Sequence, residues 1–187
     1  MTPVTANTLR ATLSCSAQRA TTWAPHIQRA CEIFAINTPA RLAAFIAQVG
    51  HESGRLLYSR EIWGPTPAQA RYEGRADLGN TQPGDGKRFM GRGLIQTTGR
   101  ANYAATRDGL RKRLPNVPDF EAMPQLLEQS EWAALSAAWY WHSKGLNALA
   151  DVGDFRRICL RVNGGTNGMA DRLALWAKAK DVLEVTA

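Results

Sequence analysis

The chain has 187 residues, of which 44% are hydrophobic and 21% are charged, and this composition is ordinary for a globular protein. No apolar run approaches the ~18 residues that a membrane-spanning helix needs, and the length fits a single domain over residues 1–187. Lysine and arginine exceed aspartate and glutamate by 23 to 16, so the net charge is +7, which favours an anionic polymer as partner.

Helical periodicity dominates the sequence and predicts a mainly α fold. The first clear helix carries apolar residues at helical spacing after a capping Thr22, namely Trp23, Ile27, Ala30, Cys31 and Phe34. The next helix begins at Thr38-Pro39, because threonine caps a helix and proline fits its first turn.

This second helix ends on an acid that its pattern makes unusual. An apolar stripe recurs at i, i+3, i+4 and i+7, and three residues further it reaches Glu52; its members are Leu42, Phe45, Ile46 and Val49. Burial and the negative end of the helix, just before Gly54, both disfavour a charged carboxylate there. We therefore expect Glu52 to favour the protonated form that a general acid needs.

Residues 54–100 interrupt the helical pattern. Nine of the sixteen glycines lie in this stretch, together with proline, asparagine and aspartate. So long an irregular segment in a compact protein is usually functional. We expect it to form one side of a cleft, with any strands limited to a short hairpin around residues 60–100.

Helical periodicity returns near Asn102 and continues to the C-terminal region. One face between residues 130 and 143 carries Trp132, Leu135, Ala138, Trp139 and His142. Asp154 is placed to cap a short helix that ends at Asn163, and a last helix begins near Met169. At this spacing the tryptophans at 132, 139 and 141 are predicted to be core residues rather than sugar-stacking platforms.

The cysteines and histidines predict neither a metal site nor a cofactor. Three cysteines and three histidines are scattered along the chain and match no metal-ligand or redox spacing. The odd number of cysteines and their apolar surroundings favour free, buried thiols.

The candidate chemistry rests on a pair of acids. Two carboxylates on opposite sides of a glycosidic bond are the usual equipment for its hydrolysis. Glu61 lies nine residues after Glu52 and is a candidate for its partner, and Glu73 and Asp77 are the other acids before the glycine-rich segment. Alternatively, Glu61 pairs with Arg60 or Arg55 at the surface.

The segment from Gly91 to Tyr103 strengthens the case for a sugar site. Its glycines let the backbone approach a ligand closely. Gln96, Thr98 and Asn102 offer neutral hydrogen-bonding groups, which suit the hydroxyls and acetamides of a sugar. The alternative is a polar turn that leads into a helix.

Four segments in this order resemble the family 19 glycoside hydrolases, and within them the endolysins of phages and prophages. The segments are Val49–Ser53, Gly91–Thr98, Val162–Gly165 and Asp171-Arg172, and the stretch Leu78–Gly86 is typical of the endolysin subgroup. The resemblance covers about residues 38–180. It implies a lysozyme-like, two-lobed helical domain with the loop-rich segment along its cleft.

The resemblance also implies roles for matching residues. Glu52 corresponds to the general acid, Glu61 to the general base that activates water, and Thr98 to a residue that holds this water. Arg172 corresponds to an arginine that pairs with the catalytic acids. The positions implied to bind or line the substrate site are Gln96, Asn102 and Asn163, together with Arg172.

The implied reaction is inverting acid/base hydrolysis of a β-1,4 glycan bond. Inversion requires carboxyl groups roughly 6.5–9.5 Å apart, to admit a water. For the endolysin subgroup the substrate is peptidoglycan and the activity is that of a lysozyme, or N-acetylmuramidase. A chitinase is the alternative, although Ala101 stands where plant chitinases of the family carry a sugar-contacting tyrosine. A lytic transglycosylase and a binding module without catalysis are further alternatives.

The remaining expectations concern partners and location. The N-terminal residues lack the pattern of a signal peptide, so we expect a cytoplasmic protein that a holin-type partner releases to the cell wall. We also expect a monomer without a separate wall-binding module and without membrane insertion. The basic cluster Arg107, Arg111, Lys112 and Arg113 has no accompanying recognition motif, so nucleic acid is not the expected partner.

Overall fold

The computed structural model describes residues 3–185 as a mainly helical protein. In this part of the chain two 3-10 helices, at Ala76–Leu78 and Pro124–Glu128, accompany ten α-helices. The α-helices are α1 Ala6–Leu13, α2 Ala17–Ile33, α3 Pro39–Glu52, α4 Pro67–Ala70, α5 Asp85–Arg88, α6 Arg100–Arg111, α7 Ser130–Ser143, α8 Leu146–Asp151, α9 Phe155–Asn163 and α10 Met169–Val182. None of these helices is long and apolar enough to cross a membrane.

Helix α3 is the centre of the fold. The side chain of Thr38 caps it by accepting a hydrogen bond from the backbone N–H of Arg41, and Pro39 occupies the first turn, as predicted. Every residue from Leu42 to Gly50 is buried, because α10 packs along this helix while α1, α8 and α9 contact its other sides. The four residues of the predicted apolar stripe are buried, as expected, but burial also extends around the other faces of α3, which is typical of a central helix.

Helix α2 begins earlier than its apolar pattern predicted. Its cap is Ser16, whose hydroxyl accepts from the N–H of Arg19, and not Thr22. Pro25 lies inside this helix, and the helix packs against α7. Two later predictions are confirmed, since Asp154 caps α9 and Met169 begins α10.

The loop-rich segment contains no regular strand within residues 3–185. The expected hairpin is reduced to two isolated antiparallel bridges, which join Arg60 to Arg92 and Arg92 to Thr97. The N–H of Leu94 donates 3.3 Å to the carbonyl of Ala133, so this loop rests on α7. The bridges bring two distant pieces of the segment side by side at the edge of the helical core.

An ion pair fastens the loop-rich segment to the start of α6. Both oxygens of Asp85 accept hydrogen bonds from Arg100, at 2.5 and 3.0 Å, and the Asp85 side chain is only 2% exposed. These bonds outweigh burial and hold the pKa of Asp85 below its usual range. The buried amide of Asn80 adds a second link, because its Oδ1 accepts from the N–H of Arg100.

The three tryptophans of α7 differ in their surroundings. Trp141 is fully buried, and its Nε1 donates 2.8 Å to Oδ1 of Asn147, so the predicted core role is confirmed there. Trp132 is partly buried against Phe120. Trp139 is also partly exposed, and it forms part of the wall of two surface cavities.

We predict that Gly109→Ala destabilises the protein. A Cβ atom at this position would lie 1.7 Å from Nε1 of Trp139, so the whole indole would have to move. Alanine normally stabilises a helix by about 1 kcal/mol relative to glycine. Here we expect overpacking to reverse the sign and to lower the free energy of unfolding by about 1–3 kcal/mol, measured by chemical denaturation.

Gly165→Ala is the matched control, because a Cβ atom there meets nothing closer than Nδ2 of Asn163 at 4.0 Å. Equal stability changes in the two variants would contradict the proposed contact between Gly109 and Trp139.

Candidate active site

Glu52 is the last residue of α3, and a buried arginine fixes its side chain. Arg172 of α10 donates from Nη2 to Oε1 of Glu52, whose side chain is 20% exposed. The other terminal nitrogen of Arg172 donates to Oε1 of Gln48, one turn earlier on α3. The carboxyl of Glu52 is thus paired with a buried guanidinium.

Gln48 connects this pair to the interior. Its Nε2 lies 3.0 Å from the sulfur of Cys159, and the side chains of both residues are fully buried. Nε of Arg172 is buried without a hydrogen-bond partner among the described residues. Arg172 is therefore held in place by its two terminal nitrogens and by packing.

The backbone after Glu52 turns in an unusual way. Gly54, Arg55 and Leu56 have φ angles of +57°, +60° and +63°, although the last two carry side chains that disfavour this region. Ser53 holds the turn, since its hydroxyl donates 2.6 Å to the carbonyl of Val49 and accepts 2.8 Å from the N–H of Leu56. Such strain is often found at functional sites.

A second ion pair lies next to the first. Asp171 precedes Arg172 and contacts Nδ1 of His51 at 2.6 Å and Nη2 of Arg55 at 2.5 Å. Burial raises the pKa of Asp171, but these two partners outweigh it and leave the pKa below its usual range. Adjacent residues of α10 thus fix both the end of α3 and the strained turn that follows it.

Glu61 is held by the loop-rich segment rather than by a helix. Its backbone N–H donates 2.8 Å to the carbonyl of Gly91, and the N–H of Gly91 donates 3.0 Å to Oε2 of Glu61. The hydroxyl of Tyr72 donates 3.3 Å to Oε1. Burial and the nearby charge of Glu61 raise the pKa of Tyr72, so this phenol stays a donor at neutral pH.

Glu52 and Glu61 face one cavity of about 260 Å³. Its wall also contains Tyr58, Arg60, Ile62 and Gln96. Glu73, another candidate for the partner acid, is engaged elsewhere, because its carboxylate accepts from the N–H groups of Gly84 and Gly86 at 2.7 and 2.8 Å. The geometry therefore groups Glu61 with Glu52 and gives Glu73 a contact that shapes a loop.

Three side-chain oxygens converge above Gly91. A Cβ atom built on this glycine would lie 2.7 Å from Oε1 of Gln96, and 3.3 Å from both Oε2 of Glu61 and Oγ1 of Thr98. Gln96 has a φ of +54°, and its Nε2 donates 2.9 Å to the carbonyl of Gly93. The hydroxyl of Thr98 donates 3.0 Å to the carbonyl of Gln96. Glutamate, threonine and glutamine thus form one polar cluster.

A neighbouring cavity of about 350 Å³ shares Gln96 with the first and also contains Thr98 and Asn102. Asn102 is exposed, and its Nδ2 donates 2.7 Å to the carbonyl of Thr98. The wall on the other side comes from α7 and the residue after it, with Trp139, Tyr140, Ser143 and Lys144. The structure thus brings together all three polar candidates from the segment 91–103.

Asn163, the remaining candidate, lies at the end of α9 and outside the linings of both cavities. Its buried Nδ2 has no hydrogen-bond partner within residues 3–185. Trp139, predicted as a core residue, also lines the 350 Å³ cavity. Tyr72, which contacts Glu61, and Lys144, which lines the same cavity as Trp139, were not predicted from the sequence. No local pattern marks Tyr72 or Lys144, because each reaches the site only through the packing of separate segments.

Comparison with known proteins supplies the family. A "Glycosyl hydrolase family 19 domain-containing protein" of Haemophilus influenzae is 31% identical over 161 residues, covering 72% of this chain and 76% of that protein. This chain belongs to glycoside hydrolase family 19. As a member of this family it is a glycoside hydrolase, as the resemblance implied. No family model matches the chain.

Other relatives are named as chitinases. Endochitinase At2g43610 of Arabidopsis thaliana is 35% identical over 125 residues, covering 66% of this chain but only 39% of the plant protein. Chitinase C from Streptomyces griseus has a similar structure, with a TM-score of 0.76 at 23% identity over 98% of this chain and 93% of that one. A bacterial family 19 chitinase gives a TM-score of 0.75 at 22% identity, over 98% of this chain and 96% of that one. The predicted fold class is confirmed.

We predict that Gly91→Ala impairs activity with little loss of stability. The added methyl group would meet the ends of the Gln96, Glu61 and Thr98 side chains, which can shift, so the fold is retained. The shift would move the carboxylate of Glu61, and misplacing a catalytic group by about 1 Å can cost 100-fold in rate. We expect a decrease in kcat of about 10- to 100-fold in assays on a soluble glycan.

Ala148→Ser serves as the control, since it adds one atom at an exposed position of α8. An unchanged kcat in Gly91→Ala would show that the polar cluster is not needed for the reaction.

Proposed function

We propose that this family 19 enzyme is an endolysin-type peptidoglycan hydrolase that cleaves the glycan between N-acetylmuramic acid and N-acetylglucosamine. The observation that carries the proposal is the placement of Glu52 and Glu61 on one cavity, each held by a separate donor. The resemblance of Leu78–Gly86 to phage and prophage endolysins supports peptidoglycan as substrate. The net charge of +7 suits an anionic cell wall.

The proposed mechanism uses the two acids in different roles. Glu52, in its protonated form, donates its proton to the glycosidic oxygen as the bond to the anomeric carbon breaks. Glu61 removes a proton from a water, whose oxygen bonds to the anomeric carbon from the opposite face. Thr98 and Gln96 lie beside the carboxylate of Glu61 and are placed to orient this water. The product has inverted anomeric configuration and a free reducing end.

Arg172 has two tasks in this mechanism. Its contact with Oε1 of Glu52 fixes the orientation of the acid, and its positive charge stabilises the carboxylate that forms when the proton leaves. Gln48 supports the arginine from the buried side. Asn102 and Gln96 are proposed to bind the sugar on the side of the 350 Å³ cavity.

Chitin hydrolysis is the second candidate, and the comparisons favour it specifically. The plant relatives are named as endochitinases, and the similar solved structures are chitinases. The same two acids would serve, because chitin also has β-1,4 bonds between N-acetylated sugars. Ala101 argues for peptidoglycan, since it stands where plant chitinases carry a sugar-contacting tyrosine.

The endolysin role also implies an oligomeric state, a location and a route to the cell wall. We propose that the enzyme acts as a monomer, that it accumulates in the cytoplasm of the producing cell, and that a holin-type protein gives it access to the wall. The catalytic domain would then bind the wall through its own basic surface.

We predict that substitution of three glutamates separates their roles. Glu52→Gln and Glu61→Gln are expected to lower kcat by about 1000-fold or more, since each loses acid/base function. Glu73→Gln is expected to retain kcat within about tenfold and to lower stability modestly, because the amide keeps only one acceptor for two N–H groups. Initial rates on a soluble glycan and denaturation midpoints measure both effects.

In this series, loss of activity in Glu73→Gln with full activity in Glu61→Gln would transfer the role of general base to Glu73.

The bond that is cut can be identified from the products. We expect digested peptidoglycan, reduced with borohydride, to show reduced N-acetylmuramic acid at the new ends in mass spectrometry. Anhydro-muramic ends would instead identify a lytic transglycosylase. Release of products from chitin but not from peptidoglycan would replace the proposed function with that of a chitinase.

A further inference from the structure

The cavity that contains Glu52 and Glu61 is the first of three cavities that share wall residues, and we call these three cavities together the groove. Gln96 belongs to both the 260 Å³ cavity and its 350 Å³ neighbour. Trp139 and Ser143 belong to that neighbour and to a third cavity of about 630 Å³ between α6 and α7. Three adjoining cavities therefore extend from Glu52 and Glu61 to the C-terminal ends of α6 and α7.

The middle and far cavities of this groove carry basic side chains. Lys112 follows the last residue of α6 and Lys144 follows the last residue of α7. Lys112 and Arg113 line the third cavity, and Lys144 lines the middle one. Within residues 3–185, none of these three cations has a carboxylate within ion-pair distance. We call Lys112, Arg113 and Lys144 the distal basic cluster.

The acid that lines this end does not neutralise the cluster. Asp108 forms part of the third cavity, but Arg107 donates to it, from Nε at 2.8 Å and from Nη2 at 3.2 Å. That contact holds the pKa of Asp108 below its usual range and engages its charge. The guanidinium of Arg113 contacts a ring nitrogen of His142 at 3.2 Å and the carbonyl of Ile33 at 3.4 Å, and it lies 5.4 Å from the centroid of the Phe34 ring. The ammonium of Lys144 lies 5.6 Å from the centroid of the Tyr140 ring, so the described contacts of both cations are with uncharged groups. The cluster is thus available to an anionic ligand.

The wall between the catalytic end and the basic cluster suits a polymer. The partly exposed indole of Trp139 packs over Gly109, and the side chains of Tyr140 and Ser143 follow it. An aromatic face next to hydroxyl and amide groups binds the apolar face of a sugar and its polar edges. A glycan that enters at Gln96 and passes Trp139 would carry its substituents toward the cluster.

We propose that the distal basic cluster binds the carboxylates of the stem peptides that peptidoglycan carries on its N-acetylmuramic acid residues. This inference rests on the proposed function, because chitin is neutral and has no group for these cations. The cluster would make the groove specific for a peptide-bearing glycan, whereas the catalytic end recognises only the sugars. It acts on binding and not on the chemical step.

The test measures binding to the Glu52→Gln protein, which is not expected to degrade its ligand. The probes are two soluble wall glycans of equal length, one with stem peptides and one from which an amidase has removed them. The test variant adds Lys112→Glu and Lys144→Glu. The control adds Lys87→Glu and Arg156→Glu, which change the net charge equally at exposed positions outside the three cavities.

We expect the parent protein to bind the peptide-bearing glycan more tightly, and the test variant to lose about tenfold of that preference in titration calorimetry. The control variant is expected to keep the preference. An equal loss in both variants would overturn the proposal and show general charge attraction instead. A decrease in stability of the test variant with an unchanged preference would overturn it too, and would leave the lysines as stabilisers of helix ends.

The proposed function can fail separately. If the wild-type enzyme degrades chitin and leaves both wall glycans intact, the peptidoglycan role is refuted. If it degrades wall glycan and the test variant keeps its preference, only the role of the distal basic cluster is refuted.

Discussion

The contact between Arg172 and Glu52 is the constraint on which the rest of the structure depends. Burying a guanidinium is costly unless its charge and its N–H groups are matched. Helix α3 supplies the match by placing Gln48 and Glu52 one turn apart on one face, so that both accept from the same arginine. A helix that is otherwise apolar and enclosed can therefore end in a carboxylate. Removing the arginine would leave both acceptors without their buried partner.

The two acids are held in place by different kinds of contact. Glu52 belongs to the most enclosed helix of the protein, and its position follows from the packing of α3 against α10. Glu61 belongs to an irregular segment. Its backbone N–H donates to the carbonyl of Gly91, and its carboxylate accepts from the N–H of Gly91 and the hydroxyl of Tyr72. Contacts such as that of Asp85 with Arg100 keep the segment in place. The cleft lies where the rigid core meets a loop that is fixed by hydrogen bonds.

Local sequence patterns predicted those features that depend on interactions between residues close together in the chain. The cap at Thr38, the end of α3 at Glu52 and the polar residues Gln96 and Thr98 could all be named in advance, because capping and glycine-rich turns act over a few residues. The enclosure of α3 could not, since it depends on helices that lie far apart in sequence. Arg172 is 120 positions from Glu52, so only the family resemblance pointed to it. Tyr72 carried no signal at all.

Family membership explains the chemistry but not the choice of polymer. In the proposed mechanism Glu52, Glu61, Thr98 and Gln96 would contact groups that chitin and peptidoglycan share, so discrimination would have to come from atoms beyond the bond that is cut. Specificity is a difference between two affinities, and it grows when a site offers groups that only one ligand can satisfy. The distal basic cluster, which has no ion-pair partner within residues 3–185, would meet this condition, because its cations gain nothing from a neutral glycan. The ends of α6 and α7, rather than the catalytic cavity, are therefore where this enzyme would distinguish its substrates.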